Sequence, residues 1–166
     1  MAKAVLISIR PEWAEKILFG KKTLEVRKTR PRLEMPFKCY IYYTKSVMIG
    51  LRGKPGYVVG EFTCDNIATY SYDYCPHPEI GMDYDCGDSW WEIADEDLKS
   101  ACLAEEEFRY YAFGREAMYG WHISDLKIYA QPKPLSAFKG LRKTKFGYAP
   151  VEIKRPPQSW CYVEEQ

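Results

Sequence analysis

The stretch Ile7-Ser8-Ile9-Arg10-Pro11-Glu12-Trp13-Ala14-Glu15-Lys16-Ile17-Leu18-Phe19-Gly20-Lys21-Lys22-Thr23-Leu24-Glu25-Val26-Arg27 decides the architecture. Its opening, with Val5 and Leu6 just upstream, is a run of β-formers broken only by Ser8, which reads as a strand over 3–10. Pro11 suits the first position of a helix. Trp13, Ala14, Ile17 and Leu18 then share one helical face, with Glu12, Glu15 and Lys16 on the other. Gly20 closes the helix as a left-handed cap. So short a helix lives by packing its Trp13 face on a sheet. Residues 23–28 alternate next, with Leu24 and Val26 on one side and Thr23, Glu25 and Arg27 on the other.

Outward from this β-α-β start, 37–44 is a strong strand, with Phe37, Cys39, Ile41 and Tyr43 against Lys38, Tyr40, Tyr42 and Thr44. Gly50, Gly53, Pro55 and Gly56 mark a turn, and 57–69 reads as one long strand with Val58, Val59 and Phe62 inward. Tyr, Asp, Pro and Gly dominate 71–91, which reads as a long loop, an insertion at about 70–92. Asp95 suits the N-cap of a short helix through Ala101, and a second helix over 104–112 packs Phe108, Tyr111 and Ala112 before Gly114. Strands over 118–129 and 158–163 complete the pattern, with a short turn at 136–138. The order predicts an α+β fold: a small, mixed but largely antiparallel barrel, a short helix after the first strand and a helical pair before the later strands.

At 166 residues the chain fits one domain, 1–166, able to bury roughly 70% of its unfolded surface. A hydrophobic fraction of 46% with 28% charged residues excludes a disordered or fibrous chain. No apolar run is long enough to span a bilayer, and the opening run stops at Arg10-Pro11, so the expected address is a reducing cytoplasm. In that setting the six cysteines are mostly small buried hydrophobes. None is paired as C-x-x-C; Cys75-Pro76-His77 with Cys86 is the nearest approach to a zinc set. No cofactor and no metal are expected, and a monomer is the default.

Charge is strongly segregated beneath a formal net charge of +1. From Glu61 to Glu107 fourteen acids face the single base Lys99, while the rest of the chain carries 23 bases against 9 acids. Lys21 to Arg32 holds six bases with Glu25 alone, and Lys139 to Arg155 holds six with Glu152 alone. Such segregation favours a polyanion on one face, unless the acidic segment folds over the basic ones and neutralises them.

The densest polar constellation is Gly20 to Lys28. Strand alternation sets the Thr23 hydroxyl, the Glu25 carboxylate and the Arg27 guanidinium in a row, about 7 Å apart at each step. That row reads either as a ligand-binding edge or as an ordinary solvated face with a Glu25–Arg27 contact. Lys22 and Glu25 are the catalytic candidates; Ser8, Arg10, Lys21, Thr23, Arg27 and His122 are the ligand-binding ones. Arg10 precedes a helix N-terminus, where an anion would be held by free N–H groups and the guanidinium, shared with Lys21 or Lys22 if the strands neighbour. His122 titrates near neutrality if it faces the same cleft. For nucleic acid, Lys28, Arg30, Arg32 and Lys143 supply phosphate contacts, and Tyr40, Tyr42 and Trp160 are the stacking candidates.

The run from Ile7 to Arg27 resembles the opening signature of the ASCH family, a strand, a short helix and then G-x-K-T-x-E-x-R. Tyr119-Gly120-Trp121-His122-Ile123-Ser124-Asp125-Leu126 and Pro156-Pro157-Gln158-Ser159-Trp160 resemble segments of its prophage-associated members. The resemblance implies a PUA-like β-barrel whose relatives bind RNA or modified nucleosides. One branch of the family removes the acetyl group of N4-acetylcytidine with the motif Lys and a following Thr. Lys22 keeps the first position and Glu25 takes the second, where a carboxylate cannot replace a hydroxyl nucleophile without changing the mechanism. Other members are ribonucleases. The leading expectation is an RNA- or nucleoside-binding module with a polar cleft on the G-K-K-T-L-E-V-R segment. A small hydrolase on modified nucleosides or RNA is the alternative, and a phage-type protein-interaction module the third.

Overall fold

The computed structural model of the chain describes residues 2–45, 54–74 and 89–166. In chain order these form β1 (Lys3–Ile9), α1 (Pro11–Leu18), β2 (Leu24–Arg27), β3 (Phe37–Tyr43), β4 (Tyr57–Cys64), β5 (Ile67–Tyr74) and β6 (Ser89–Trp91). Then come α2 (Asp95–Ala101), α3 (Glu105–Tyr111), β7 (Ala117–His122), β8 (Ser124–Pro134), a 3-10 turn (Leu135–Ala137), β9 (Lys139–Thr144), β10 (Gly147–Glu152) and β11 (Trp160–Glu164). Seven strands make one sheet in the order β10-β9-β11-β1-β3-β4-β8, and four make a second in the order β2-β7-β5-β6. The fold is α+β, a curled, largely antiparallel half-barrel. β1 and β3 run parallel, which requires a crossover, and α1 with β2 lies between them in sequence.

Alternation sorts the side chains into three cores. Val5, Ile7 and Ile9 of β1 pack with Phe37, Cys39, Ile41 and Tyr43 of β3, with Phe62, and with Ile67 and Trp121 of the second sheet. This is the space between the sheets, and α1 adds Ala14 and Ile17 to it. The other faces of β1 and β3 contribute Ala4, Leu6, Tyr40 and Tyr42 to a core closed by Phe138 and Val163. Leu24 and Val26 face away from the first core and pack with Tyr70, Met118, Leu98 and Phe108, under α2 and α3. Both faces of β1, β2 and β3 are therefore covered, as expected for the middle of a layered fold.

The opening β-α-β reading holds, including Gly20 at φ +70° just after α1. Four readings change. The long strand 57–69 divides at Asp65-Asn66, and the strand 118–129 divides at Ile123, with Asp125 at φ +48°. Part of the expected loop over 71–91 is a hairpin instead: β5 runs to Tyr74 and pairs Tyr72 with Trp91 of β6. Its central part, 75–88, with Cys75, His77 and Cys86, lies outside the described residues, as does 50–53 of the expected turn. Ala94, not Asp95, is the N-cap of α2, and Asp95, Glu96 and Asp97 fill its first turn, where the helix dipole favours acids. The basic stretch from Lys139 folds as the β9–β10 hairpin. Its side chains are mostly exposed, so no apolar alternation announced it. Among the described residues no helix is long and apolar enough to cross a membrane, and no cluster of three or more His, Cys, Asp or Glu stands ready for a metal.

Candidate functional site

Because Leu24 and Val26 face the helices, β2 turns Glu25 and Arg27 toward the space between the sheets. Lys22, Glu25 and Arg27 are 2%, 6% and 8% exposed, so the ionic row is neither a solvated face nor spread over a convex surface. The three are bonded to one another. Arg27 Nε donates to Glu25 Oε1 at 2.9 Å, and Lys22 Nζ stands 3.4 Å from Glu25 Oε2. Beyond that pair, Lys22 Nζ donates to the Ala101 carbonyl at the end of α2 at 2.6 Å and lies 5.2 Å from the Trp13 ring centre. Arg27 reaches across to the other sheet, donating to the Ser8 carbonyl of β1 at 2.7 Å and to the Ser159 hydroxyl at 3.3 Å. A buried charge costs several kcal/mol unless paired and hydrogen-bonded, and this chain of contacts meets that requirement. Directly across from Glu25 in the β2–β7 pairing is Trp121, fully buried, whose Nε1 has no hydrogen-bond partner among the described residues.

The chain leaves β2 and runs without regular structure from Lys28 to Arg32, where it builds a hollow of about 500 Å³ with Arg115 and Tyr119. Among the described residues four cations line it, Lys28, Arg30, Arg32 and Arg115, and no carboxylate does. Bonds from distant parts of the sequence fix this loop. Trp160 Nε1 donates to the Thr29 hydroxyl at 3.0 Å, the Arg32 amide donates to the Tyr162 hydroxyl at 2.8 Å, and Arg115 donates to the Lys28 carbonyl at 2.9 Å. Lys28 also stands 4.9 Å from the Tyr111 ring centre. Burial raises the Tyr111 pKa, and the nearby charges Arg27, Glu25, Arg10 and Arg115 adjust it in opposing directions. Among the described residues no ion pair joins an acid of 61–107 to a base of 21–32.

Of the residues picked from the sequence, Lys28, Arg30 and Arg32 come together at the hollow, with Trp160 bonded to its Thr29. Others do not join them. Tyr40 and Tyr42 are 0% and 4% exposed in the outer core, and the Tyr40 hydroxyl accepts from the Gln166 amide, so neither ring offers a face to a base. His122 stands opposite Leu24, on the other side of β7 from Trp121, and its Nδ1 lies 2.6 Å from Asp65 Oδ1; it does not face Glu25. Arg10 is the N-cap of α1, whereas the Lys21 and Lys22 amides bond the Lys16 carbonyl near the other end of that helix. Eight helical residues span about 12 Å, so Arg10 and exposed Lys21 form no common anion site. The Ser8 hydroxyl is committed to the Pro157 carbonyl at 2.7 Å. Exposed Thr23 bonds through its backbone to Ser100 and Ile123. Lys143 is exposed on β9, two strands from β1, and does not line the hollow. Neither do Lys22, Glu25 and Arg27.

Arg115 and Tyr119 were missed as site residues. Tyr119 had a signal: it follows from pairing β7 with β2, where it sits opposite Arg27. Arg115, alone after Gly114, had none.

No protein-family model and no curated protein matches the chain. Solved structures do. The crystal structure of ASCH from Zymomonas mobilis is 20% identical at a TM-score of 0.56, over 98% of this chain and 88% of that one. Two single-residue mutants of the same protein match at 0.55, again at 20% identity and over 98% of this chain, covering 91% and 89% of theirs. At that identity the likeness speaks to architecture, and it covers nearly all of both chains: the chain has the ASCH fold.

Proposed function

We propose that the protein is an RNA-binding module that holds the backbone of a short single strand in the hollow of Lys28, Arg30, Arg32 and Arg115. One observation carries the reading: among the described residues four exposed cations and no carboxylate line a single concavity, built on a loop held by three long-range hydrogen bonds. Fixed cations recognise phosphate at low ordering cost, and guanidinium groups suit its geometry. Trp160, half-buried beside Thr29, supplies a ring near the hollow. A narrow strand fits better than a duplex, because the acids of 61–107 repel a broad polyanion. Equilibrium binding of a labelled single-stranded uridine dodecamer, measured against salt, tests this. With about four phosphates held, log affinity falls with log salt at a slope of about −3. A flat response would remove the reading.

A second reading, hydrolysis of a modified nucleoside at Lys22 and Glu25, is favoured by the unpartnered Trp121 Nε1 opposite Glu25. A fully buried donor without an acceptor is a group that a water or a ligand atom could satisfy. Against it stands the Lys22 ammonium, already bonded to a carbonyl and a carboxylate. Turnover of N4-acetylcytidine by the wild type and by Glu25→Gln decides it: equal rates, or none in either, end the claim.

A further inference from the structure

A second hollow, of about 290 Å³, lies where α3 ends beside the β5–β6 hairpin, and nothing in the reading above uses it. Its aromatic walls are Tyr72, Trp91 and Phe113. Trp91 rests on the buried Phe108 ring, centres 5.5 Å apart, and leans on Tyr72 at 5.4 Å, so the floor is fixed by the core beneath it. Phe113 is different. Its ring is 86% exposed, just after α3 and before Gly114 at φ +74°. Two guanidinium groups stand at the rim: Arg109, which is paired to Glu105 at 2.7 Å, and Arg115.

Arg115 lines both hollows. The basic hollow and the aromatic one are therefore neighbours that share a single cation. A nucleic-acid strand presents the same two chemistries side by side, a phosphate followed by a flat heterocycle on the adjoining sugar. The smaller hollow has the volume of about ten liquid waters, room for one heteroaromatic ring system and little more. Aromatic side chains flanked by arginine are the usual platform for an unpaired base, which stacks whatever its sequence.

Resting on the RNA-binding reading, we propose that the Tyr72–Trp91–Phe113 hollow receives an unpaired base of the strand whose phosphates lie in the basic hollow, with Arg115 contacting both. The ligand is thus a single strand of at least two nucleotides, read by stacking at one position.

The test uses the full chain with two labelled probes, a single-stranded adenosine tetranucleotide and the same ribose–phosphate tetramer lacking all four bases. Phe113→Ala removes an exposed ring, so the thermal unfolding midpoint stays at the wild-type value. It should weaken the adenosine strand about fivefold or more and leave the abasic strand within twofold. Arg30→Gln should weaken both strands alike. If Phe113→Ala changes neither strand, or both equally, while Arg30→Gln weakens both, the base site is wrong and the basic groove stands; a hollow kept for a protein partner gives that result. If wild type binds neither strand, or Arg30→Gln weakens neither, the RNA reading falls and this inference with it.

Discussion

Glu25 is the residue on which the two sheets meet. It balances Lys22 on one side and Arg27 on the other, and Arg27 carries the connection to the Ser8 carbonyl on β1. Glu25→Ala leaves two buried cations facing each other without a counter-charge, and it should cost about 3–5 kcal/mol in urea unfolding. Replacing all three together, Lys22→Met with Glu25→Leu and Arg27→Met, removes charge and counter-charge at once and should cost much less. A small loss in the single variant would mean that the ionic chain does not join the sheets. Glu61 provides a pH test at the far side of the barrel. Burial works to raise its pKa, but the Tyr129 hydroxyl and the Lys38 ammonium outweigh it, and the carboxyl ends below its ordinary value. A depressed carboxyl pKa means that the unfolded chain binds the proton more readily, so Glu61 adds stability above the ordinary carboxylate pKa and loses it as pH falls through the lowered value. Tyr129→Phe should flatten that part of the stability-against-pH curve, read by urea midpoints between about pH 6 and pH 3. An unchanged slope would assign the effect elsewhere.

β7 carries the second sheet, and its middle residue shows how tightly. A Cβ added at Gly120 would lie 2.5 Å from the Tyr70 hydroxyl oxygen and 2.9 Å from a ring carbon. Tyr70 has nowhere to go, with its ring against Phe108 and its hydroxyl donated to Asp97 of α2. Gly120→Ala should therefore destabilise the fold by about 1–3 kcal/mol, and pairing it with Tyr70→Phe should recover part of that loss in unfolding midpoints. At this scale the sequence was legible where one face is apolar and the period is clean. β1, α1 and β2 follow from 3–27 alone, because Pro11, Gly20 and the alternation from Leu24 each leave a local mark. β3 was legible as a strand but not as a strand covered on both sides. Tyr40 and Tyr42 have polar hydroxyls, and residues far away in sequence, Phe138 and Val163 among them, help to bury them. The ionic row had the same ambiguity, for spacing says which side Glu25 shares with Arg27, while Ser8 and Ala101, far away in sequence, decide that the side is dry. β9 and β10 left no mark, since a mostly exposed hairpin has little apolar pattern to leave.

Charge is distributed unevenly over the whole molecule. A formal net charge of +1 would suggest indifference to polyanions, yet among the described residues no base of 21–32 pairs with an acid of 61–107, and four cations share one hollow. Segregation matters more than the sum, because screening at physiological salt confines each field to about 8 Å. A strand in the hollow therefore feels Lys28, Arg30, Arg32 and Arg115, which line it, more strongly than any charge beyond that range. The same screening predicts how the binding should respond to mutation. Each phosphate contact on a single strand contributes about 0.7 to the salt slope, so the combined variant Lys28→Gln, Arg30→Gln and Arg32→Gln should flatten the slope by about 2. Lys143→Gln, on a strand outside the hollow, should leave it unchanged. Urea midpoints near wild type would accompany both, since all four side chains are exposed. If Lys143→Gln reduced the slope as much per charge as the triple variant does, the attraction would belong to scattered surface bases and the hollow would have no special part in it.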